Sequence, residues 1–245
     1  MQVQQRVTGV GVLDDVVAEA VGRGHRRDPV VTGSGGPAGN ARLTAWVGLV
    51  LLVLIAGELV TLLDVFGLMD WHVGIGLALT AFALLKTAST GWRIVRYYTG
   101  SATYGSAGPP PLLLRLLGPL VIATTLGVLG SGIALIAVGP AASRSPVVTL
   151  VGHSVSLVTV HAGFFVLFAV ATGLHLLARF VPALSLAAGR QRPPGDARPA
   201  VPGERLRTVL VVGTAIAAVL AVVLVVPSVQ GWQHGHHDRS AAARP

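Results

Sequence analysis

Cysteine is absent from this chain of 245 residues. Disulfides, thiolate metal sites and cysteine nucleophiles are therefore excluded. Charge is also scarce, because charged residues make up 11% of the sequence, roughly half of the fraction that a soluble domain carries. Hydrophobic residues make up 52% and the mean hydropathy is +0.71. This composition predicts a membrane protein in contact with the lipid bilayer.

The common motifs of nucleotide-binding and hydrolytic enzymes are absent as well. No GxSxG, Walker A, HExxH or glycine-rich dinucleotide fingerprint occurs, so no flavin or nicotinamide site is predicted. The first 42 residues contain no apolar stretch of the kind that a signal peptide needs. Basic residues outnumber acidic ones by 18 to 10. They cluster beside apolar segments, which favours anionic headgroups over nucleic acid as their partner.

Five apolar stretches are each about 20 residues long, the length at which a helix crosses the hydrocarbon core of a bilayer. They predict an all-α integral membrane protein, a five-helix transmembrane bundle within residues 43–226. The predicted spans are residues 43–63, 71–95, 116–138, 154–178 and 208–226. Residues 1–42 are predicted to be a mostly disordered cytoplasmic segment with one short amphipathic helix, and residues 32–40 a flexible linker. Residues 181–207 are predicted to be an irregular connector, and residues 227–245 a histidine-rich extracytoplasmic tail.

Loop charges predict the orientation of the bundle. The segment between spans two and three carries Lys86, Arg93, Arg96 and Arg115 and no acid, and the connector between spans four and five carries six arginines against two acids. The loops on the opposite side carry Arg144 as their only basic residue. Since positive loops stay inside, the N-terminus is predicted inside and the C-terminus outside, in the cytoplasmic membrane of a bacterium.

Two of the spans carry ionisable side chains at matched spacing. His161 and His175 are fourteen residues apart in span four, which places them on nearly one helix face, roughly 21 Å apart along the axis. Span two runs in the same direction and carries His72 and Lys86 at the same spacing. Such groups are costly in hydrocarbon, so they indicate a functional site. Glu58, near the outer end of span one, is interpreted in three ways: it accepts the N–H of a ligand imidazole, relays protons, or reaches out to the headgroups.

Haem b ligation is the chemistry that suits this arrangement, because iron in a helical bundle is held between imidazoles of two facing helices. His72 and His161 are the predicted outer axial pair, and Lys86 and His175 form a second polar layer near the inner face. A different helix pairing would join His72 to His175. Lysine is an uncommon haem ligand, and Lys86 alternatively snorkels to the interface or pairs with a propionate. One haem is therefore favoured over two.

The paired transmembrane histidines, with the segments LLKTASTGWRIVRYYTG (Leu84 to Gly100) and GPPPLLLRLLGP (Gly108 to Pro119), resemble bacterial, in particular actinobacterial, cytochrome b561-like and ferric-reductase-like multi-pass membrane proteins. The resemblance covers residues 43–180. It implies a b-type haem carrier for electron transfer, which exchanges electrons with a quinone or a redox partner protein. It also implies an electron-transfer or membrane-anchor subunit rather than a self-sufficient enzyme.

Two interpretations without haem compete with this one. A small transporter or scaffold subunit would use the same residues as a polar path for protons or a metal ion. A packing subunit would use its histidines only for hydrogen bonds between helices. Separately, His234, His236, His237 and Asp238 form a compact cluster in the C-terminal tail, suited to weak binding of a divalent metal such as Zn²⁺, Cu²⁺ or Ni²⁺.

Overall fold

The structure, a computed structural model, describes residues 28–107, 112–187, 201–229 and 232. This part of the chain is mostly helical. The helices are α1 (Gly36–Thr61, extended by a 3₁₀ turn at Leu62–Asp64), α2 (Met69–Tyr98), the short α3 (Ala102–Ser106), α4 (Leu112–Arg144), α5 (Leu157–Ala187) and α6 (Glu204–Val225, followed by a 3₁₀ turn at Val226–Val229). Two short strands, β1 (Pro146–Leu150) and β2 (His153–Ser156), pair antiparallel between α4 and α5.

Five of these helices, α1, α2, α4, α5 and α6, are long and apolar enough to cross a membrane. Their most apolar windows have mean hydropathies from 1.5 to 3.1, and many of their large apolar side chains are exposed to the surroundings. Apolar surface of this extent is stable only against lipid or another apolar partner. The prediction of five helices long and apolar enough to cross a membrane is confirmed for the described residues.

Helix α1 begins earlier than the sequence predicts. It starts at Gly36, so the prediction of a flexible linker over residues 32–40 is wrong for the second half of that stretch. Pro37 suits the first turn of a helix, where the missing N–H has no partner to lose. Gly39 packs so closely on the carbonyl oxygen of Ser34 that a Cβ would overlap it. The glycine therefore serves a close backbone contact instead of flexibility.

The region around the fourth span also differs from the prediction. The sequence predicts a helix from residue 154, whereas residues 153–156 form β2 and α5 begins at Leu157. Residues 154–156 read Ser-Val-Ser, so the predicted span begins with three residues that are less apolar than the start of α5. At its other end α5 continues to Ala187, so residues 181–187 of the predicted irregular connector are helical. These residues are apolar and continue the helical run.

The described chain divides into two compact units, each built from parts of the long helices. The first unit comprises the described parts of Met1–Leu49, Ala88–Ile122 and Val170–Arg207. The second unit comprises those of Val50–Thr87, Ala123–Ala169 and Thr208–Pro245.

Polar contacts join the helices of the first unit. Ser89 on α2 donates to the Asn40 side chain at 2.6 Å and lies 2.6 Å from the Thr44 hydroxyl, both on α1. Arg93 on α2 donates to the two carboxylate oxygens of Asp28 at 2.6 and 3.1 Å. Two hydrogen bonds between one guanidinium and one carboxylate fix the orientation of the groups as well as their distance. They hold the segment before α1 against α2.

Arg207, in the first turn of α6, makes a further link in the first unit. It is only 3% exposed. Its guanidinium donates to the backbone carbonyl oxygens of Pro202 (2.7 Å), Val201 (3.1 Å) and Ser34 (3.4 Å). These bonds fasten the segment that precedes α1 to the loop that precedes α6.

The second unit has a small apolar core beside the start of α2. Met69, Val73 and Val229 are buried there, with Ile136 and Trp232 packed against them. The core therefore joins α2, α4 and the end of α6. His72 lies in the same first turn of α2 as Met69 and Val73. The packing thus fixes the part of α2 from which this histidine projects.

Candidate functional site

The polar cluster of the second unit is built at helix ends. Glu58 and Thr61 lie in the last turn of α1, and His72 lies in the first turn of α2. The connection between these helices is short, so their ends are neighbours. Ser131 lies within α4, and His161 is the fifth residue of α5. Both histidines therefore lie near the N-terminal ends of their helices.

His72 is held through Nδ1. This nitrogen lies 2.8 Å from Glu58 Oε1 and 3.1 Å from Thr61 Oγ1. The Thr61 hydroxyl donates its only proton to the backbone carbonyl of Glu58 at 2.6 Å, so it can only accept from the ring. The Nδ1 atom therefore carries a proton, and in the neutral imidazole Nε2 carries the free lone pair.

His161 is held in the same way by one hydroxyl. Its Nδ1 lies 3.0 Å from Ser131 Oγ. The Ser131 hydroxyl donates to the backbone carbonyls of Gly127 (2.7 Å) and Val128 (3.0 Å) one turn back in α4. It therefore accepts a proton from Nδ1–H of His161, which again leaves the lone pair on Nε2.

The two imidazoles lie close together. Their ring centres are 6.3 Å apart and their planes are nearly perpendicular, at 89°. Within the described part of the chain, no hydrogen bond uses the Nε2 atom of either ring. The structure thus brings together two histidines whose anchored nitrogens are protonated and whose other nitrogens are available as ligands.

Glu58 is the only acid in contact with this cluster among the described residues. Its side chain is 17% exposed, and that of His72 is 20% exposed. Its second oxygen, Oε2, is buried and has no hydrogen-bond partner in the described chain. A buried carboxylate oxygen without a partner is costly, and such an atom is typical of a functional site. Glu58 lies where it can accept the N–H of the His72 imidazole, one of its three interpretations.

The donor set discriminates between kinds of metal site. Among the described residues, no group of three or more His, Asp or Glu side chains is placed to hold a metal ion. A bare metal ion needs three or four protein ligands, whereas haem iron needs only two because the porphyrin supplies four nitrogens. His72 and His161 supply two imidazoles, the number of protein ligands that a haem iron would need, and their ring centres are 6.3 Å apart.

Small residues surround the histidine pair. A Cβ on Gly132 of α4 would lie 3.2 Å from Cε1 of His161, so this glycine lets the ring lie against the helix. On Gly76, one turn after His72, a Cβ would lie 4.0 Å from Glu58 Oε1. Gly132 and Gly76 therefore leave room for the His161 ring and the Glu58 carboxylate.

The remaining predicted residues lie elsewhere. Lys86 is on α2 in the second unit, and His175 is on α5 in the first unit. The sequence spacing of fourteen residues therefore does not bring these two residues into the cluster that Glu58, Thr61, His72, Ser131 and His161 form within the second unit. The predicted metal ligands His234, His236, His237 and Asp238 lie outside the described residues.

Thr61 and Ser131 are the members of the cluster that the sequence does not reveal. Each is a single hydroxyl in an apolar helix, and such residues most often bond their own helix backbone. The signal that was available is weak: Thr61 lies three residues after Glu58, and Ser131 lies between Gly130 and Gly132. Both are buried, at 3% and 8% exposure.

Comparison with protein families, with curated proteins and with solved structures gives no match for this chain. The resemblance to cytochrome b561-like and ferric-reductase-like proteins therefore stays a prediction from the residues.

Proposed function

We propose that this chain is a membrane cytochrome b-like protein that carries haem b between α2 and α5 for electron transfer. The observation that supports it is the pair of His72 and His161, with ring centres 6.3 Å apart and both Nε2 atoms unprotonated in the neutral rings. These two residues would hold the haem iron. When bound, haem b supplies a one-electron carrier whose reduction potential depends on its axial ligands and its burial.

The protein's own contribution is the orientation of the two rings. Glu58 and Thr61 accept from Nδ1–H of His72, and Ser131 accepts from Nδ1–H of His161. Partners of this kind fix the tautomer and the ring direction of a ligand before the metal group arrives. A carboxylate makes its imidazole a stronger donor than a hydroxyl does. His72 is therefore the more electron-rich of the two ligands.

The loop charges set the placement in the membrane under this proposal. With the N-terminus inside and the C-terminus outside the cytoplasmic membrane of a bacterium, the starts of α2 and α5 lie on the outer side. The haem would then exchange electrons near the outer face, with a quinone or a redox partner protein. Lys86 and His175 would lie nearer the inner face.

The deciding measurement is an optical spectrum of the protein purified in detergent, oxidised and reduced with dithionite. We expect a Soret band and a sharp reduced α-band, and one haem per chain in a pyridine haemochrome assay. Two haems per chain would place a second one with His175 or Lys86. A colourless protein from cells supplied with haem would contradict the proposal.

Replacing Glu58 by glutamine tests the ring-orienting role. Glu58→Gln keeps an oxygen acceptor for Nδ1–H of His72 but removes the negative charge that stabilises oxidised iron. We expect the haem to remain and its midpoint potential to rise by about 60 mV, which corresponds to a tenfold change for one electron. A redox titration followed at the α-band measures it.

The matched control is Asp70→Asn, which removes an exposed carboxylate from the first turn of α2, the helix that carries His72. We expect its potential to stay near that of the unchanged protein. Equal shifts in the two variants would mean that Glu58 acts only as a distant charge.

A second candidate function is favoured by the unpaired Oε2 atom of Glu58. In a transporter without haem, this buried oxygen and the adjacent His72 would take up and pass on a proton or cation. Such a protein would be colourless, and its transport across vesicle membranes would be lost in Glu58→Gln.

A further inference from the structure

The hairpin between α4 and α5 has two chemically different faces. In an antiparallel pair, residues opposite one another project from the same side of the sheet, and successive residues alternate. Val148 lies opposite Val155, Leu150 opposite His153, and Thr149 opposite Ser154. One face therefore carries two valines and a leucine beside His153, which lies at the tip end of the strand, and the other face carries hydroxyl groups.

The tip of the hairpin is also apolar. It is a two-residue turn of Val151 and Gly152, with φ values of 48° and 79°. Val151 is 98% exposed, and a β-branched residue is strained in this left-handed region. Val147 and Val148 are 72% and 45% exposed. Exposed apolar surface at a strained tip indicates that something outside the described chain covers it.

The position and charge of the hairpin indicate what covers its apolar surface. Helix α4 ends at Arg144 and α5 begins at Leu157, so both ends of the hairpin continue directly into membrane spans. A strand of five residues reaches only about 17 Å, so the tip stays close to the membrane surface. No Asp, Glu, Lys or Arg occurs between Arg144 and Arg179. The apolar surface of the hairpin is thus continuous with lipid-facing helices and carries no charge to hold it in water.

We propose that the hairpin of residues 146–156 lies in the headgroup region of the phospholipid bilayer. Val148, Val155 and Val151 face the acyl chains, and Thr149 and Ser154 face the water. An isolated two-stranded hairpin is at best marginally stable in water, and burial of one face against lipid supplies the packing that it lacks. This proposal does not depend on haem.

The proposal also sets the depth of the histidine site. His161 follows the end of β2 by five residues, a rise of about 7.5 Å in a helix. With the hairpin in the headgroup region, His161 lies about one and a half turns below the membrane surface.

The chain has no cysteine, so single cysteines can be introduced without removing others. The test uses the full chain in vesicles of phosphatidylethanolamine and phosphatidylglycerol, with a nitroxide label at Val148→Cys, Thr149→Cys, Val151→Cys or Ser154→Cys. Collision rates with oxygen, which concentrates in lipid, and with a water-soluble nickel chelate are measured for each label. Size-exclusion profiles show that each variant is folded.

We expect the ratio of oxygen to nickel collisions to be several-fold higher at Val148→Cys and Val151→Cys than at Thr149→Cys and Ser154→Cys. This alternation between neighbouring positions 148 and 149 is the signature of a strand lying on lipid. High nickel access at all four positions would overturn the proposal. Low access of both reagents at the valine positions would also overturn it, since that result means cover by protein.

Discussion

Replacing His161 by alanine is expected to abolish the b-type haem spectrum. The substitution removes one of the two available Nε2 atoms. It also leaves the Ser131 hydroxyl without the ring N–H from which it accepts a hydrogen bond. Loss of a hydrogen-bond partner of a metal ligand already lowers metal affinity by about 10–100-fold, and loss of the ligand itself is expected to cost more. Haem per chain in the pyridine haemochrome assay, and the reduced α-band, measure the effect. The same loss is expected for His72→Ala.

His153→Ala is the matched control for these two variants. His153 is exposed in β2, eight residues before His161. Its replacement is expected to leave haem content unchanged. His175→Ala shows whether the first unit carries a second haem, because it would halve the haem per chain if it did. A spectrum of the unchanged type in both His72→Ala and His161→Ala would show that these residues are not the ligands.

Replacing Gly127 by alanine is expected to lower the free energy of unfolding substantially, although the substitution adds only one methyl group. The Cβ would overlap the ring of Phe164, so α4 and α5 cannot keep their spacing. Overpacking of this kind costs about 1–3 kcal/mol. Because the carbonyl of Gly127 also accepts from Ser131, the partner of His161, we expect haem affinity to fall as well. Thermal unfolding in detergent, followed by tryptophan fluorescence, measures the loss.

Gly130→Ala is the matched control, three residues further along α4. A Cβ there meets no atom of the described chain within 4 Å, so we expect stability to be unchanged or to rise by about 0.5–1 kcal/mol through helix propensity. The double variant Gly127→Ala with Phe164→Ala removes the overlap. It should recover part of the loss, and purely additive effects would show that the ring is not the cause.

The five spans were predictable because lipid imposes a simple rule. A helix that crosses hydrocarbon must be apolar over about 20 residues, and that property is readable without knowledge of packing. The proximity of His72 and His161 was also predictable, because spans two and four run in the same direction and both residues lie near the start of their helices. The spacing of fourteen residues was less informative, because Lys86 and His175 belong to different units.

What the sequence could not predict depends on contacts between segments. The hydroxyls of Thr61 and Ser131 have no pattern of their own, and only the folded chain places them at the two Nδ1 atoms. The hairpin was not predicted, because its valines resemble the start of a span. The alternation of polar and apolar residues from His153 to Ser156 was nevertheless a signal for a strand. The early start of α1 depends on Gly39 fitting against Ser34, a contact within the first unit.

The placement of the two imidazoles on separate helices has a further consequence under the proposed function. His72 on α2 and His161 on α5 would hold the haem together. When bound, the group would tie these two helices to one another and stabilise the folded chain by mass action.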